Sequence, residues 1–142
     1  MEGKSTTSSL IFENYKVNKV EFKTNDIKQQ KQVWNLKFNI NNITEVNKER
    51  NRMKITLIIN IFEGVEDAPF SMNVEISGFF ELAGEDDITR YEANAIAIMY
   101  PYLRAIVSTY TASANVSPVI LPAINVNAML KRKKEEDNKE EN

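Results

Sequence analysis

The stretch MKITLIINIF, residues 53–62, decides how this chain folds. Met53, Ile55, Leu57, Ile59 and Ile61 recur at every second position, with Lys54, Thr56 and Asn60 among the residues between them. A period of two sends alternate side chains to opposite faces of a strand, so one face of this segment is built for burial. Two neighbouring stretches repeat the pattern. In VWNLKFNINNI (33–43), Trp34, Leu36, Phe38 and Ile40 share a face against Asn35, Lys37 and Asn39. In PFSMNVEISGFF (69–80), Phe70, Met72, Val74, Ile76 and Phe80 share one. The connections EVNKERN (45–51) and EGVEDA (63–68) are short and polar, as hairpin loops are, so these three strands form an antiparallel meander.

Upstream, LIFENYKVNKVEF (10–22) holds Leu10, Phe12, Val20 and Phe22 at one parity and Ile11, Tyr15 and Val17 at the other. That mixture predicts a strand with a bulge or a switch of face near its middle. The link TNDIKQQKQ (24–32) is longer than a hairpin loop and has no turn pair; it reads as a crossover that places this strand elsewhere in the sheet. Downstream of AGEDDIT (83–89), residues 89–112 take helical spacing. Ala93, Ala97, Tyr100, Arg104, Val107 and Thr111 lie on one side, and Ile98, Tyr102, Ala105 and Ile106 on another. Pro101 has no N–H and disfavours helix at Tyr100, which predicts either a kink or a helix that restarts at Pro101.

The stretch ASANVSPVILPAINVNAML (112–130) is apolar, but Pro118 and Pro122 exclude a central strand. Asn127 is placed to cap a short last helix beginning near Ala128. Lys131 to Lys134 precede the acids, the unfavourable order for the helix dipole, so fraying is expected past about residue 134. The expected organisation is a flexible end (1–8), one domain (9–134) and a charged, disordered tail (135–142). The expected fold is α+β: a four-stranded antiparallel sheet packed with a long helix and a short C-terminal helix.

Composition narrows the chemistry. The 142 residues are 42% hydrophobic and 27% charged, enough for one domain with a sizeable core. The absence of histidine and cysteine excludes thiol nucleophiles, Cys/His zinc sites and imidazole catalysis. Glu85, Asp86 and Asp87 are the remaining candidates for Mg²⁺ or Ca²⁺, although loop acids before a helix are ordinarily solvated and favoured there by the dipole. No catalytic residue, metal site or cofactor is assigned, and a non-enzyme is expected. The net charge of −2, with KRKK (131–134) cancelled by EED (135–137), argues against nucleic acid. No apolar run nears the ~18 residues of a membrane span, and the N-terminus lacks a signal-peptide core. With zero cysteine, a cytoplasmic protein without membrane insertion is expected.

The stretch IMYPYLRAIVSTYTASANVSPVILPAINVNAML (98–130) resembles the C-terminal half of the SecB family of export chaperones. The similarity rests on Tyr100-Pro101-Tyr102 in the long helix, the small residues Thr111 to Ser113, the proline-containing Pro118 to Ile124, and Asn125, Ala128 and Met129 at the last helix. Trp34, Gly78-Phe79-Phe80 and Ala83-Gly84 also fall where that family has similar residues, and the resemblance extends over about residues 10–130.

The resemblance implies a holdase assembled as a homotetramer, a dimer of dimers, whose partners are unfolded polypeptides or preproteins. It implies a client groove of Trp34, Leu36, Phe38 and Ile40 with Val126, Met129 and Leu130, and an oligomer interface at Tyr100, Pro101, Tyr102 and Ile106. Core packing remains the other reading for each of these side chains. SecB proteins that serve the translocase motor SecA present acids on the exposed sheet face; Lys19, Lys23 and Asn73 stand at the matching positions, which opposes SecA docking. Similar SecB-like proteins stabilise antitoxins in toxin–antitoxin systems, so a dedicated client is the corresponding expectation. The competing class is a structural or scaffold oligomer with the same fold and no capture of unfolded chains.

Overall fold

The computed structural model describes residues 9–26 and 34–140. The expected flexible end 1–8, most of the crossover and the last two residues of the tail lie outside the described residues. The elements are β1 (Leu10–Thr24), β2 (Phe38–Val46), β3 (Arg52–Ile61), β4 (Phe70–Leu82), a 3-10 turn (Ile88–Tyr91), α1 (Glu92–Ser113) and α2 (Val126–Glu140). The strands form one antiparallel sheet in the order β1-β4-β3-β2. The meander is therefore present, and β1 pairs with the far side of β4, as the long link predicted.

The apolar rows of β3 and β4 face the helices and are buried throughout: Met53 to Ile61 and Phe70 to Leu82, at alternate positions. β1 joins this layer by means of two register shifts, between Phe12 and Asn14 and between Val17 and Lys19. Each shift changes parity. Opposite the inward row of β4 stand Leu10 and Phe12, then Tyr15 and Val17, then Val20 and Phe22. The two parities read in the sequence are thus one face, kept in line by two bulges. Ile11 alone departs from its parity group; it faces outward and is exposed.

At the end of β3, strict alternation would turn Phe62 away from the core. Its φ of 56° brings it back, and it is buried. The ring meets Phe70 at 5.3 Å and Trp34 at 6.3 Å, both edge-on. A left-handed conformation is unusual for a bulky side chain, and this packing holds it.

α1 packs on the sheet through Ala95, Ile96, Met99, Leu103 and Val107. Its approach is closest at Gly78: a β-carbon there would lie 2.5 Å from Met99 Sδ. The helix is continuous across Pro101, so the restart at Pro101 does not occur. Pro101 and Ala97 are both exposed, so the carbonyl that loses its intrahelical partner at Pro101 can bond to water instead. The preceding turn is capped by Asp87, whose Oδ1 accepts the Thr89 N–H at 2.9 Å. Arg50, on the β2–β3 loop, donates from Nε to Asp87 Oδ2 at 2.6 Å. The Thr89 N–H, then the Arg50 guanidinium, hold the Asp87 carboxyl down at about 2.

Beyond α1, the proline-containing segment lies along the helix. Val119 and Leu121 are buried, and Ile120 between them is 75% exposed. The Val119 N–H donates to Thr111 Oγ1 at 2.9 Å, and its carbonyl accepts from Ser108 Oγ at 2.8 Å. The Tyr100 hydroxyl donates to the Pro122 carbonyl. Asn125, not Asn127, caps α2: its Oδ1 accepts the Ala128 N–H at 2.9 Å. The cap two residues earlier lets Val126 join the helix. α2 also continues to Glu140, through most of the tail expected to be disordered. Its Lys, Arg and Glu are strong helix formers, and Lys131/Glu135, Arg132/Glu136 and Lys133/Asp137 stand four apart; together these outweigh the unfavourable charge order.

Gly78→Ala should destabilise the domain by about 1–3 kcal/mol through overpacking against Met99. Gly78→Ala combined with Met99→Ala should lose less than the sum of the two single changes in chemical denaturation, because one removes the obstruction the other meets. Additive losses would mean that Gly78 serves something other than this approach.

Candidate functional site

Two regions leave apolar surface on the helix side of the sheet, one at each edge. The first is at β2. Ile40 is buried, and Phe38, Leu36 and Trp34 are half-buried on the same face. β2 begins only at Phe38, so Trp34 and Leu36, read from the sequence as part of that strand, precede it in an extended segment. That segment keeps the alternation, and it is tied to the end of β3 where the Phe62 N–H donates to the Lys37 carbonyl at 2.9 Å.

α2 borders this region. It has no fully buried residue; Val126, Met129 and Leu130 are half-buried against the core. The Lys133 ammonium donates to the Asn42 carbonyl of β2, which sets α2 against that strand. Asn42 itself is buried beneath it. Between α1 and α2 lies an open notch of about 360 Å³, floored by Ala93, Ala97, Ile98 and Val126 and rimmed by Asn94 and Asn127. The proposed client residues are therefore drawn from one flank of the molecule. Of the notch residues, Val126 was expected in the client groove from sequence; Ala93, Ala97 and Ile98 were read only as helix spacing, because small side chains on a helix carry no signal of a cleft.

The second region is at β1. Tyr15 lies 4.5 Å from Tyr102 and Phe12 lies 5.6 Å from it, ring centre to ring centre. Phe22 lies 5.5 Å from Tyr110. Tyr15, Val17, Tyr102 and Tyr110 are each roughly 40% exposed or more, so the aromatic rows of β1 and α1 meet at the surface. Of the four interface residues expected from sequence, Pro101 and Tyr102 are exposed and Ile106 is half-buried. Tyr100 is not at the surface: it is buried, its hydroxyl spent on Pro122, and burial raises its pKa. Tyr15, Val17 and Tyr110 complete the surface. The first two were visible as a parity switch, and only the bulges reveal which way they face.

The opposite face of the sheet is polar. Lys16, Lys19, Glu21 and Lys23 of β1 run beside Ser71, Asn73, Glu75 and Ser77 of β4. Lys19 pairs with Glu21 at 3.6 Å, and Asn73 donates to Asn60 Oδ1 at 2.6 Å. Lys19, Lys23 and Asn73 do share this face. The acidic turn is separately engaged: Asp87 as above, and Asp86 with Arg90 at 3.2 Å. Asp86 is held low by the Asp87 N–H first and by Arg90. Among the described residues no group of three or more Asp or Glu is arranged to hold a metal, and no helix is long and apolar enough to cross a membrane.

The family described as preprotein translocase subunit SecB matches residues 9–137. The chain belongs to the SecB family. The chain is similar to the uncharacterized protein MJ0357 of Methanocaldococcus jannaschii, 39% identical over 130 residues, which are 86% of this chain and 83% of that one. Among solved structures, the fold is similar to the Mycobacterium tuberculosis Rv1957 SecB-like chaperone in complex with a ChAD peptide from the Rv1956 HigA1 antitoxin. The TM-score is 0.65 at 15% identity, over 82% of this chain and 91% of that one. At that identity the likeness speaks for the SecB fold, which agrees with the four-stranded sheet, long helix and C-terminal helix described above.

Proposed function

We propose that this SecB family protein is a holdase that captures unfolded polypeptide without chemistry, along the flank formed by Trp34, Leu36, Phe38 and Ile40 with Val126, Met129 and Leu130. The observation that carries the reading is α2: a helix with no fully buried residue lies against an apolar strand. Such a helix can yield to an incoming chain at small cost, and flexible Met and Leu side chains adapt to varied sequences. Family membership and the peptide-bound SecB-like relative support the same class of partner. A preprotein or a dedicated antitoxin-like client both fit this flank, in a cytoplasmic setting.

We further propose that the β1/α1 face joins copies of the chain into a homo-oligomer, a dimer of dimers. Its exposed aromatic rows and the position of β1 at the end of the described sheet favour a self-complementary contact. The polar sheet face carries Lys19 and Lys23 in place of acids, which opposes electrostatic docking of SecA's basic tail.

Light scattering of a denatured client decides between holdase and scaffold. The protein should suppress aggregation, and Leu130→Asp should weaken capture roughly tenfold with the melting temperature nearly unchanged. No suppression by the unaltered protein would leave the scaffold. Val17→Lys tests the assembly face more cleanly than a change at half-buried Ile106, because Val17 is 46% exposed. Sedimentation should show smaller species with the fold retained; an unchanged mass removes this face from the interface. In titration calorimetry SecA should bind weakly at physiological salt, and Lys19→Asp with Lys23→Glu and Asn73→Glu should strengthen it, most at low salt. Tight, salt-sensitive binding by the unaltered chain would refute this reading of the sheet face.

A further inference from the structure

Asn42 stands at a buried position in the helix-facing row of β2 and is 2% exposed. Its Nδ2 donates to Thr44 Oγ1 at 3.0 Å. Its Oδ1 is buried and receives no hydrogen bond among the described residues. A buried amide oxygen without a donor is costly, and an aliphatic side chain in its place would not carry that cost. The residues flanking Asn42 on this side are Ile40 and Thr44, and the one opposite on β3 is Leu57. The site is covered rather than deep: Lys133 of α2 holds the backbone carbonyl of this same residue.

We propose that Asn42 Oδ1 is an acceptor for captured polypeptide, and that it selects segments in which an apolar side chain carries one donor, namely tyrosine or tryptophan. The inference rests on the holdase reading and names what its groove prefers. The chemistry narrows the choice. Ile40 beside it on β2 and Leu57 opposite on β3 ask for an apolar body, and a single unpaired acceptor asks for a single O–H or N–H. Lysine and arginine are disfavoured by the Lys133 ammonium at the adjacent carbonyl, and carboxylates bring no donor. Serine and threonine supply a donor without apolar bulk. Phenylalanine brings the apolar body and leaves the oxygen unpaired, which a site of this kind penalises strongly. Entry requires α2 to shift, and α2 contributes no fully buried side chain to resist it.

The test uses the full chain and two labelled apolar peptides that differ only as tyrosine against phenylalanine, with affinities read by fluorescence anisotropy. The unaltered protein should bind the tyrosine peptide about tenfold more tightly. In Asn42→Val that preference should vanish while the melting temperature holds or rises, since the unpaired oxygen is gone. Equal affinity for the two peptides in the unaltered protein overturns the assignment. So does a tyrosine preference that persists in Asn42→Val, which would place the donor's partner elsewhere, or a markedly lowered melting temperature, which would mean that the amide works within the fold. Failure of Asn42→Val to fold is that same outcome, and the two peptides on the unaltered protein are an independent arm that needs no variant. Capture of a denatured client without tyrosine preference removes only the role of Asn42, whereas failure to capture any client removes the holdase reading with it.

Discussion

One helix lies across four strands, and the width of that helix limits everything else. An α-helix with its side chains is about 10 Å across, whereas four strands span about 14 Å between their outer axes alone. α1 settles over β3 and β4, where Gly78 lets it approach most closely. The apolar rows of the two outer strands are then only partly covered. At β1 the remainder is closed by aromatic rings that reach from both sides and stay partly wet. At β2 it is covered by α2, a second and loosely seated helix. Both proposed working surfaces are therefore what a single central helix leaves over, and they are separated by the full width of the sheet.

Much of this was legible in the residues. The period-two rows of β2, β3 and β4 announce their faces, because burial on one side is the strongest constraint on a strand. The long link between β1 and β2 announces a non-neighbouring strand order. β1 was legible only as a conflict of parities, since a bulge leaves no residue of its own as a marker; its two shifts appear once the partner strand is known. The start of β2 was misjudged because Trp34 and Leu36 keep alternating outside the ladder, and alternation reports a face and not a hydrogen bond. Tyr100 is buried with its hydroxyl on the Pro122 carbonyl, which helical spacing does not report because that carbonyl lies 22 residues away in sequence. Asn42 keeps the parity of Phe38 and Ile40, so alternation alone puts it on the buried face; what the sequence does not show is that its amide oxygen lacks a donor there.

The two faces of the sheet divide the labour by chemistry. The helix side is apolar and nearly continuous. The other side is a mesh of short polar contacts in which charges pair locally: Lys19 with Glu21, Lys54 with Glu45. Exposed pairs of this kind add little to stability. Their effect is on approach: a surface whose charges cancel at close range presents little field to a distant partner, whichever sign that partner carries.

The segment around Val119 is fastened to α1 through its backbone. Proline at 118 and 122 excludes it from a central strand, yet the Val119 N–H and carbonyl are both satisfied by hydroxyls of α1, Thr111 and Ser108. The helix thus presents side chains where a strand would present backbone, and one residue of irregular chain is fastened as though it belonged to a ladder. A connection that is irregular in outline is in this way fixed at Val119, and again at Pro122 by the Tyr100 hydroxyl, so that the chain arrives at Asn125 in a defined position from which α2 begins.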